Sequence, residues 1–343
     1  MRVAVYYSNS DIRIEERPVP AIGEGEFLVK VRSSGICGSD VMEWYRVNRV
    51  PLVLGHEIAG EIVEVGKGLR EFAKGQRAAC SHHVPCGECR YCRMGHETVC
   101  EMLRATNLDP GGFAEYVRVP AVNIEKKGVY LLPDALSYEE ATFIEPLACV
   151  LRGQRLIGLK KGQTVLVIGS GISGILHIQM AKANGASKVA ATDINDYRIK
   201  AAVKFGADAV FNASDYTPEA LRQIQSGRLA DLVIVCAGAA QAIDQALASV
   251  ERGGTVLFFS AANQGVTVPL DINRIFWRNE VALTSSYAAT PAEHLEAMGL
   301  IARRIVNVKD MITHRFGLAE TQHGFKLVAE AKESLKVIIE PQR

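Results

Sequence analysis

The sequence lacks a net charge of either sign, a long basic run and a long apolar run. Its 343 residues contain 39 Lys and Arg against 38 Asp and Glu, and no basic run exceeds two residues. Without a positive field to attract a polyanion, we expect no nucleic-acid partner. No apolar run reaches the roughly 20 residues of a membrane span, and the alternating N-terminal segment does not resemble a signal peptide. We therefore expect a cytoplasmic protein that has no membrane partner.

Cysteine is also scarce, yet four of the eight cysteines lie in the segment "PCGECRYCRMGHETVC" at residues 85–100. In a reducing compartment, clustered thiols indicate a metal site rather than disulfides. Four thiolates suit a closed tetrahedral zinc site, which stabilises a fold and performs no chemistry. An iron–sulfur centre is the alternative, but the ferredoxin run continues as C-x3-C-P, and here seven residues separate the last two cysteines. The four candidate ligands are Cys86, Cys89, Cys92 and Cys100.

The sequence has no internal repeat, but its pattern changes near residue 150. Residues 1–148 contain short alternating stretches punctuated by Gly and Pro, which predict a mainly β domain. Residues 149–287 alternate apolar strands with amphipathic helices, and the six candidate strands predict a doubly wound parallel sheet. Residues 288–343 fall outside that series, and we expect them to complete the N-terminal domain.

A glycine-rich motif follows the first strand of the predicted parallel sheet. In "VLVIGSGISG", the glycines form a G-x-G-x-x-G pattern that opens a helix, and Asp193 ends the next strand 19 residues after the third glycine. This context indicates a dinucleotide site in which backbone amides at the helix start hold the pyrophosphate. The pyrophosphate-binding residues predicted here are Gly169, Gly171, Ile172, Ser173 and Gly174.

The carboxylate of Asp193 favours NAD as the cofactor. It would accept hydrogen bonds from the adenosine ribose hydroxyls and repel a 2′-phosphate. Arg198, five residues further on, keeps NADP open as the alternative.

Candidate metal ligands are more sparsely placed in the first domain. "GICGSD" contains Cys37 and Ser39, "LGHEIAG" contains His56 and Glu57, and "ATFIEPLACV" contains Glu145. A thiol, an imidazole and carboxylates together suit a zinc site, although none of them alone would predict one.

These motifs, in this order, resemble the zinc-dependent medium-chain dehydrogenases of the alcohol and polyol dehydrogenase family. The resemblance runs nearly end to end, and Glu145 in "FIEPLA" favours the sorbitol, threonine and sugar-alcohol-phosphate branch over the simple-alcohol branch. It implies a GroES-like catalytic domain, a Rossmann cofactor domain, two zinc ions per chain, and a homodimer or homotetramer.

The resemblance also implies roles for individual residues. Cys37 and His56 become catalytic zinc ligands, either Glu57 or Glu145 becomes the third, and a fourth position stays open for substrate or water. Ser39 matches the hydroxyl that receives the alcohol proton. The four clustered cysteines become the structural zinc site.

One departure from the family concerns the proton path. Several relatives have a histidine shortly after "SD", whereas this chain has Met42, which cannot carry a proton. Either Ser39 passes the proton to the cofactor ribose and water, or Glu43 takes part. We interpret Glu43, Trp44, Arg46 and the region of Tyr287 as substrate contacts, and His82, His83 and His96 as surface residues.

The function implied is hydride transfer between NAD and a secondary alcohol or ketone of a polyol, sugar alcohol or related metabolite. An L-threonine or polyol-phosphate dehydrogenase is the alternative within the same class. The alternative from another class is a catalytically silent, zinc-stapled binding protein.

Overall fold

The computed structural model describes residues 1–343, which form two compact units. The first unit contains residues 1–148 and 288–343, and the second contains residues 149–287. No helix combines the length and the apolar character needed to cross a bilayer.

The N-terminal part of the first unit is built mainly from short strands. Its strands are β1 (Arg2–Ser8), β2 (Asp11–Glu16), β3 (Phe27–Gly35), β4 (Leu52–Val53), β5 (Glu57–Val65), β6 (Arg77–Cys80), β7 (Tyr116–Val119) and β8 (Val129–Leu131). Its helices are α1 (Glu43–Arg46), α2 (Arg90–Arg93), α3 (Glu101–Ala105), α4 (Ala121–Glu125), α5 (Tyr138–Ala141) and α6 (Ile144–Leu156), which continues into the second unit. Short 3-10 turns lie at Val47–Arg49 and Glu97–Val99.

The second unit alternates strands and helices as the apolar pattern predicts. The strands are β9 (Thr164–Ile168), β10 (Lys188–Asp193), β11 (Ala209–Asn212), β12 (Ala230–Val235), β13 (Val250–Phe258) and β14 (Ala282–Ser285). The helices are α7 (Ile172–Ala183), α8 (Asp196–Lys204), α9 (Pro218–Ile224), α10 (Ala240–Ser249) and α11 (Ile272–Ile275). All five residues of β9 are buried, as expected for a strand covered on both faces.

The six strands of the second unit form one parallel sheet in the order β11-β10-β9-β12-β13-β14. The order reverses beside β9, so the carboxyl end of β9 lies at the topological switch point, where doubly wound sheets bind dinucleotides. The predicted fold class is confirmed.

The C-terminal part of the chain returns to the first unit. It contains α12 (Pro291–Ala302), β15 (Ile312–Gly317), α13 (Thr321–Glu330) and β16 (Lys336–Glu340), with 3-10 turns at Lys309–Met311 and Leu318–Glu320. The seven-stranded sheet of this unit runs β15-β16-β3-β5-β6-β8, and β7 also pairs with β3. A smaller antiparallel sheet has the order β2-β1-β4.

The centre of the first unit is the pairing of β3 with β5 and β16. Gly35 lies opposite Glu57 on one side and opposite Ile338 on the other. Apolar side chains of β3 and β5, including Val29, Val31 and Ile58, are buried in the main core cluster. Because a slip of one residue would turn these side chains to the other face, the buried core fixes the register.

Candidate active site and metal centres

The β3–β5 register brings three potential metal ligands together. Cys37 follows the end of β3 by two residues, His56 immediately precedes β5, and Glu57 is the first residue of β5. The ligand atoms of these three residues all lie within 4.8 Å of one another. A thiol, an imidazole and a carboxylate at this spacing fit the ligand preferences of zinc.

Asp40 supports both of the first two ligands from a fully buried position. Its Oδ2 accepts a hydrogen bond from the Cys37 backbone N–H at 3.0 Å, and its Oδ1 lies 3.4 Å from His56 Nδ1. A carboxylate behind a ligating histidine fixes the orientation of the ring. This role was not predicted from the sequence, although Asp40 belongs to the motif "GICGSD".

The charges around His56 favour a cation at this position. Burial acts to lower the pKa of His56, but the charges of Asp40 and Cys37 outweigh it and raise the pKa well above the usual value. Burial likewise acts to raise the pKa of Asp40, and the charge of His56 reverses that effect, so the pKa of Asp40 is lowered. The negative charges that favour a proton on the imidazole also favour a divalent cation bound to it.

The two carboxylates proposed as the third ligand differ in their surroundings. Glu57 is buried, and its Oε2 accepts a hydrogen bond from Nζ of the buried Lys336. Glu145 lies in the first turn of α6, and it lines a small cavity of about 10 Å³ together with His56 and Glu57. The cluster of three ligand atoms within 4.8 Å contains Glu57 and does not include Glu145.

Ser39 lies beside the thiol, as its proposed role requires. Its Oγ donates to Cys37 Sγ at 3.4 Å. The guanidinium of Arg46 donates to Ser39 Oγ at 3.3 Å and to the Ser39 carbonyl at 3.1 Å, and it lies 3.7 Å from Asp40 Oδ1. Arg46 thus contacts the serine directly, and its role as a substrate contact stays a prediction.

His82 and His83, interpreted from the sequence as surface residues, are half-buried and lie beside His56. The His82 ring lies 4.7 Å from the His56 ring and 3.7 Å from the His83 ring, measured between centroids. Burial lowers the pKa of His82 well below its usual value and lowers that of His83 to about 4. Both imidazoles are therefore neutral near pH 7 and add no positive charge beside His56. His96 is exposed.

The four clustered cysteines form a second, closed donor set. Their sulfur atoms all lie within 4.8 Å of one another. Cys92 Sγ is 3.8 Å from Cys86 Sγ and 3.6 Å from Cys89 Sγ, and all the cysteines are free thiols. A regular tetrahedron with metal–sulfur bonds of about 2.3 Å has edges of about 3.8 Å, so these distances fit one zinc ion. Such spacing leaves no room for a cluster of several irons between the sulfurs.

Backbone amides prepare this lobe for thiolate ligands. The N–H groups of Glu88 and Cys89 donate to Cys86 Sγ at 3.4 and 3.2 Å and lower the pKa of Cys86 to about 6. A thiolate that is already stabilised binds zinc with less competition from protons. Burial raises the pKa of Cys92, so this thiol depends on the metal to lose its proton.

The glycine motif has the backbone geometry that a pyrophosphate site requires. Gly169 follows β9 with φ of +93°, a conformation that favours glycine. A Cβ on Gly174 would overlap the Gly169 carbonyl oxygen, so the third glycine allows α7 to start against the strand. Gly171 is the N-cap of α7, and Ile172 and Ser173 form its first residues. The backbone N–H groups of these residues therefore lie at the N-terminal end of α7, which attracts anions.

Asp193 closes this motif at the end of β10. Its Oδ2 accepts from the Ser170 N–H at 2.7 Å and its Oδ1 accepts from the Asn195 N–H at 2.9 Å. These two hydrogen bonds hold the carboxylate beside the glycine loop. Arg198 lies near the same loop, since a Cβ on Gly171 would be 3.6 Å from its guanidinium, and burial lowers the pKa of Arg198.

Comparison with known proteins agrees with this arrangement. Residues 23–131 match the family model described as alcohol dehydrogenase GroES-like domain, and residues 173–303 match that described as zinc-binding dehydrogenase. The sorbitol dehydrogenase of Bacillus subtilis is 34% identical over 100% of this chain and 98% of its own length. The L-threonine 3-dehydrogenase of Bacillus licheniformis is 32% identical over 94% and 93% of the two chains.

A solved structure is similar over the same extent. The crystal structure of a putative zinc-binding dehydrogenase from Sinorhizobium meliloti, bound to NADP, is 30% identical and superposes with a TM-score of 0.87. The match covers 99% of each chain.

We predict that Asp40→Asn weakens metal retention at the first donor set. An amide in place of the carboxylate has one oxygen, which cannot both accept from the Cys37 N–H and face His56 Nδ1. Loss of such a supporting carboxylate reduces metal affinity or activity by about 10- to 100-fold. Competition with a chelator would measure the effect, and Asp11→Asn, which alters only a surface pair with Arg13, is the matched control. Unchanged zinc retention in Asp40→Asn would contradict the prediction.

We further predict that removing one thiol affects activity at the first donor set and stability or assembly at the second. Cys37→Ser should remain folded, bind NAD and turn over almost nothing, whereas Cys92→Ser should lower thermal stability or disturb assembly. Each variant should contain one zinc per chain instead of two, as measured by metal analysis. Cys80→Ala removes a thiol outside both donor sets and should retain two. An active Cys37→Ser protein would disprove the assignment of the reaction to this site.

Proposed function

Because this chain belongs to the zinc-dependent medium-chain dehydrogenases, in the sorbitol and threonine dehydrogenase branch, we propose that it oxidises a secondary alcohol of a polyol or sugar alcohol. The family makes it an NAD(P)-dependent alcohol or polyol dehydrogenase that uses zinc. The observation that carries the proposal is the cluster of Cys37, His56 and Glu57. It supplies three donors of the kind found at catalytic zinc, where a fourth position stays open.

The proposed roles of the site residues are based on their contacts. Cys37 and His56 are zinc ligands, and the thiolate and one carboxylate balance the charge of the ion. Of the two candidates for the third ligand, Glu57 has the support of its position among the clustered donors. In that case Glu145 is not the third ligand, and it lies in the cavity that it lines with His56 and Glu57.

Ser39 is proposed to take the proton of the substrate hydroxyl. When bound, zinc supplies Lewis acidity, which lowers the pKa of a bound water to about 7 and would act similarly on an alcohol. Ser39 lies next to the Cys37 ligand, 3.4 Å from its sulfur, and Arg46 holds it there. The serine would therefore meet the hydroxyl at the position where its proton is most readily released.

NAD is proposed as the preferred cofactor. Asp193 presents a carboxylate where the adenosine ribose is expected, and this group accepts hydrogen bonds from ribose hydroxyls and repels a phosphate. The solved Sinorhizobium meliloti relative is bound to NADP, and Arg198 offers this chain a cation beside the glycine loop. NADP thus remains the alternative cofactor.

The reaction can be tested by reduction of the dinucleotide, followed at 340 nm, with a panel of substrates. We expect turnover of a polyol or sugar alcohol with NAD, and slower turnover with NADP. L-Threonine and polyol phosphates belong in the same panel because relatives of the same branch are L-threonine dehydrogenases. If the zinc-loaded protein reduces neither cofactor with any member of the panel, the proposal fails and the silent binding protein is favoured.

We also propose that the protein is a cytoplasmic homodimer or homotetramer. β14 lies at the end of the parallel sheet and pairs only with β13, which leaves one strand edge open to a second copy. In the segment of the chain just before β14, the apolar side chains of Ile272 and Trp277 are exposed. Sedimentation at micromolar concentration should give the mass of two or four chains, and a monomer would overturn this proposal.

A further inference from the structure

A fully buried lysine contacts one of the carboxylates of the proposed metal site. Lys336 is the first residue of β16, and the three residues after it are also buried. Its Nζ donates to Glu57 Oε2 and lies 5.1 Å from the centre of the Phe143 ring. A buried lysine is rare unless it is paired, and the partner here is a carboxylate within 4.8 Å of Cys37 Sγ and the His56 imidazole.

The backbone leaves room for this ion pair at one position. Gly35 lies opposite Glu57 in β5 and opposite Ile338 in β16, so it sits between the two strands that contribute the charges. A Cβ at Gly35 would overlap both Glu57 Oε2 and Lys336 Nζ. The glycine at the end of β3 is thus required for the close approach of the lysine to the carboxylate.

We propose that Lys336 is a positioning residue that controls how Glu57 acts on the metal. By holding Oε2, Lys336 leaves only the other carboxylate oxygen to face the ion, so Glu57 is restricted to a single contact. It also weakens the charge that Glu57 presents to the ion. The Cys37 thiolate and the Glu57 carboxylate neutralise a divalent ion, and the ammonium group partly offsets the charge of the carboxylate, so the ion keeps more of its own charge for a negatively charged substrate oxygen.

This inference rests on the proposed function, since it concerns the same metal site. The proposed role and a purely structural ion pair differ in the effect of removing the cation. In a structural pair, loss of Lys336 would reduce stability and loosen the metal together. In the role proposed here, Glu57 is released from the lysine and becomes a stronger ligand, so zinc is held at least as tightly while turnover falls.

Lys336→Met tests the proposal because methionine keeps the length and apolar contacts of the side chain and removes its charge. We expect kcat to fall by about 10- to 100-fold, the range for residues that support metal ligands. Zinc release to a chelator should be no faster than in the unaltered protein. The visible absorption of the Co²⁺-loaded protein should change, because the coordination of Glu57 changes. Lys332→Met, at an exposed lysine near the start of β16, is the matched control and should change none of these.

The double variant Lys336→Met with Glu57→Gln removes both buried charges and therefore covers the case in which Lys336→Met does not fold. Its kcat and Co²⁺ spectrum should equal those of Glu57→Gln alone, because the lysine acts only through this carboxylate. Faster zinc release with an unchanged Co²⁺ spectrum in Lys336→Met, or a further loss of activity in the double variant, would overturn the proposal. Measurements of zinc release and of the Co²⁺ spectrum need no substrate, so they test the role of Lys336 even if the proposed reaction is wrong.

Discussion

The register of β3 is the constraint on which the proposed active site depends. Gly35 has Glu57 opposite it in β5 and Ile338 opposite it in β16. This pairing places Cys37, just beyond β3, next to His56, just before β5, and it brings Lys336 from the C-terminal part of the chain to Glu57. A slip of one residue in either pairing would turn the carboxylate or the lysine to the opposite face of the sheet. The buried core of the first unit therefore also determines the geometry of the ligands.

The two donor sets differ because one is local and the other is not. The four cysteines of the lobe lie within 15 consecutive residues, and backbone amides of the same segment stabilise their thiolates. Four thiolates complete a tetrahedron and leave no position for a substrate. The other set has three clustered donors, which the sheet holds in place and a buried aspartate orients. The densest cysteine cluster is thus suited to stability, and the sparse set is suited to chemistry.

Local patterns in the sequence predicted much of this structure. The glycine motif, Asp193 and the six apolar strands each depend on short segments, and these segments together predict the parallel sheet with its switch point. Lys336 could not be assigned in the same way. The segment "SLKVIIE" shows a lysine in an apolar strand, but the strand order that pairs it with Glu57 is a property of the whole sheet. The place of His82 and His83 could not be predicted for a related reason, since nothing in their local sequence shows that they lie beside His56.

The contacts of Ser39 narrow the path of the proton in its proposed role. A hydroxyl has one donor and two acceptor positions. Arg46 occupies one of the acceptor positions, and a guanidinium cannot take up a proton. A proton received at the remaining acceptor position must therefore leave through the serine O–H, which donates to Cys37 Sγ in this structure and has to turn away from it, and Met42 has no group to receive the proton. The Glu43 carboxylate is exposed and accepts the Asn9 N–H at 2.9 Å. This contact does not exclude Glu43, so both routes inferred from the sequence, release from Ser39 alone and transfer with the help of Glu43, stay predictions.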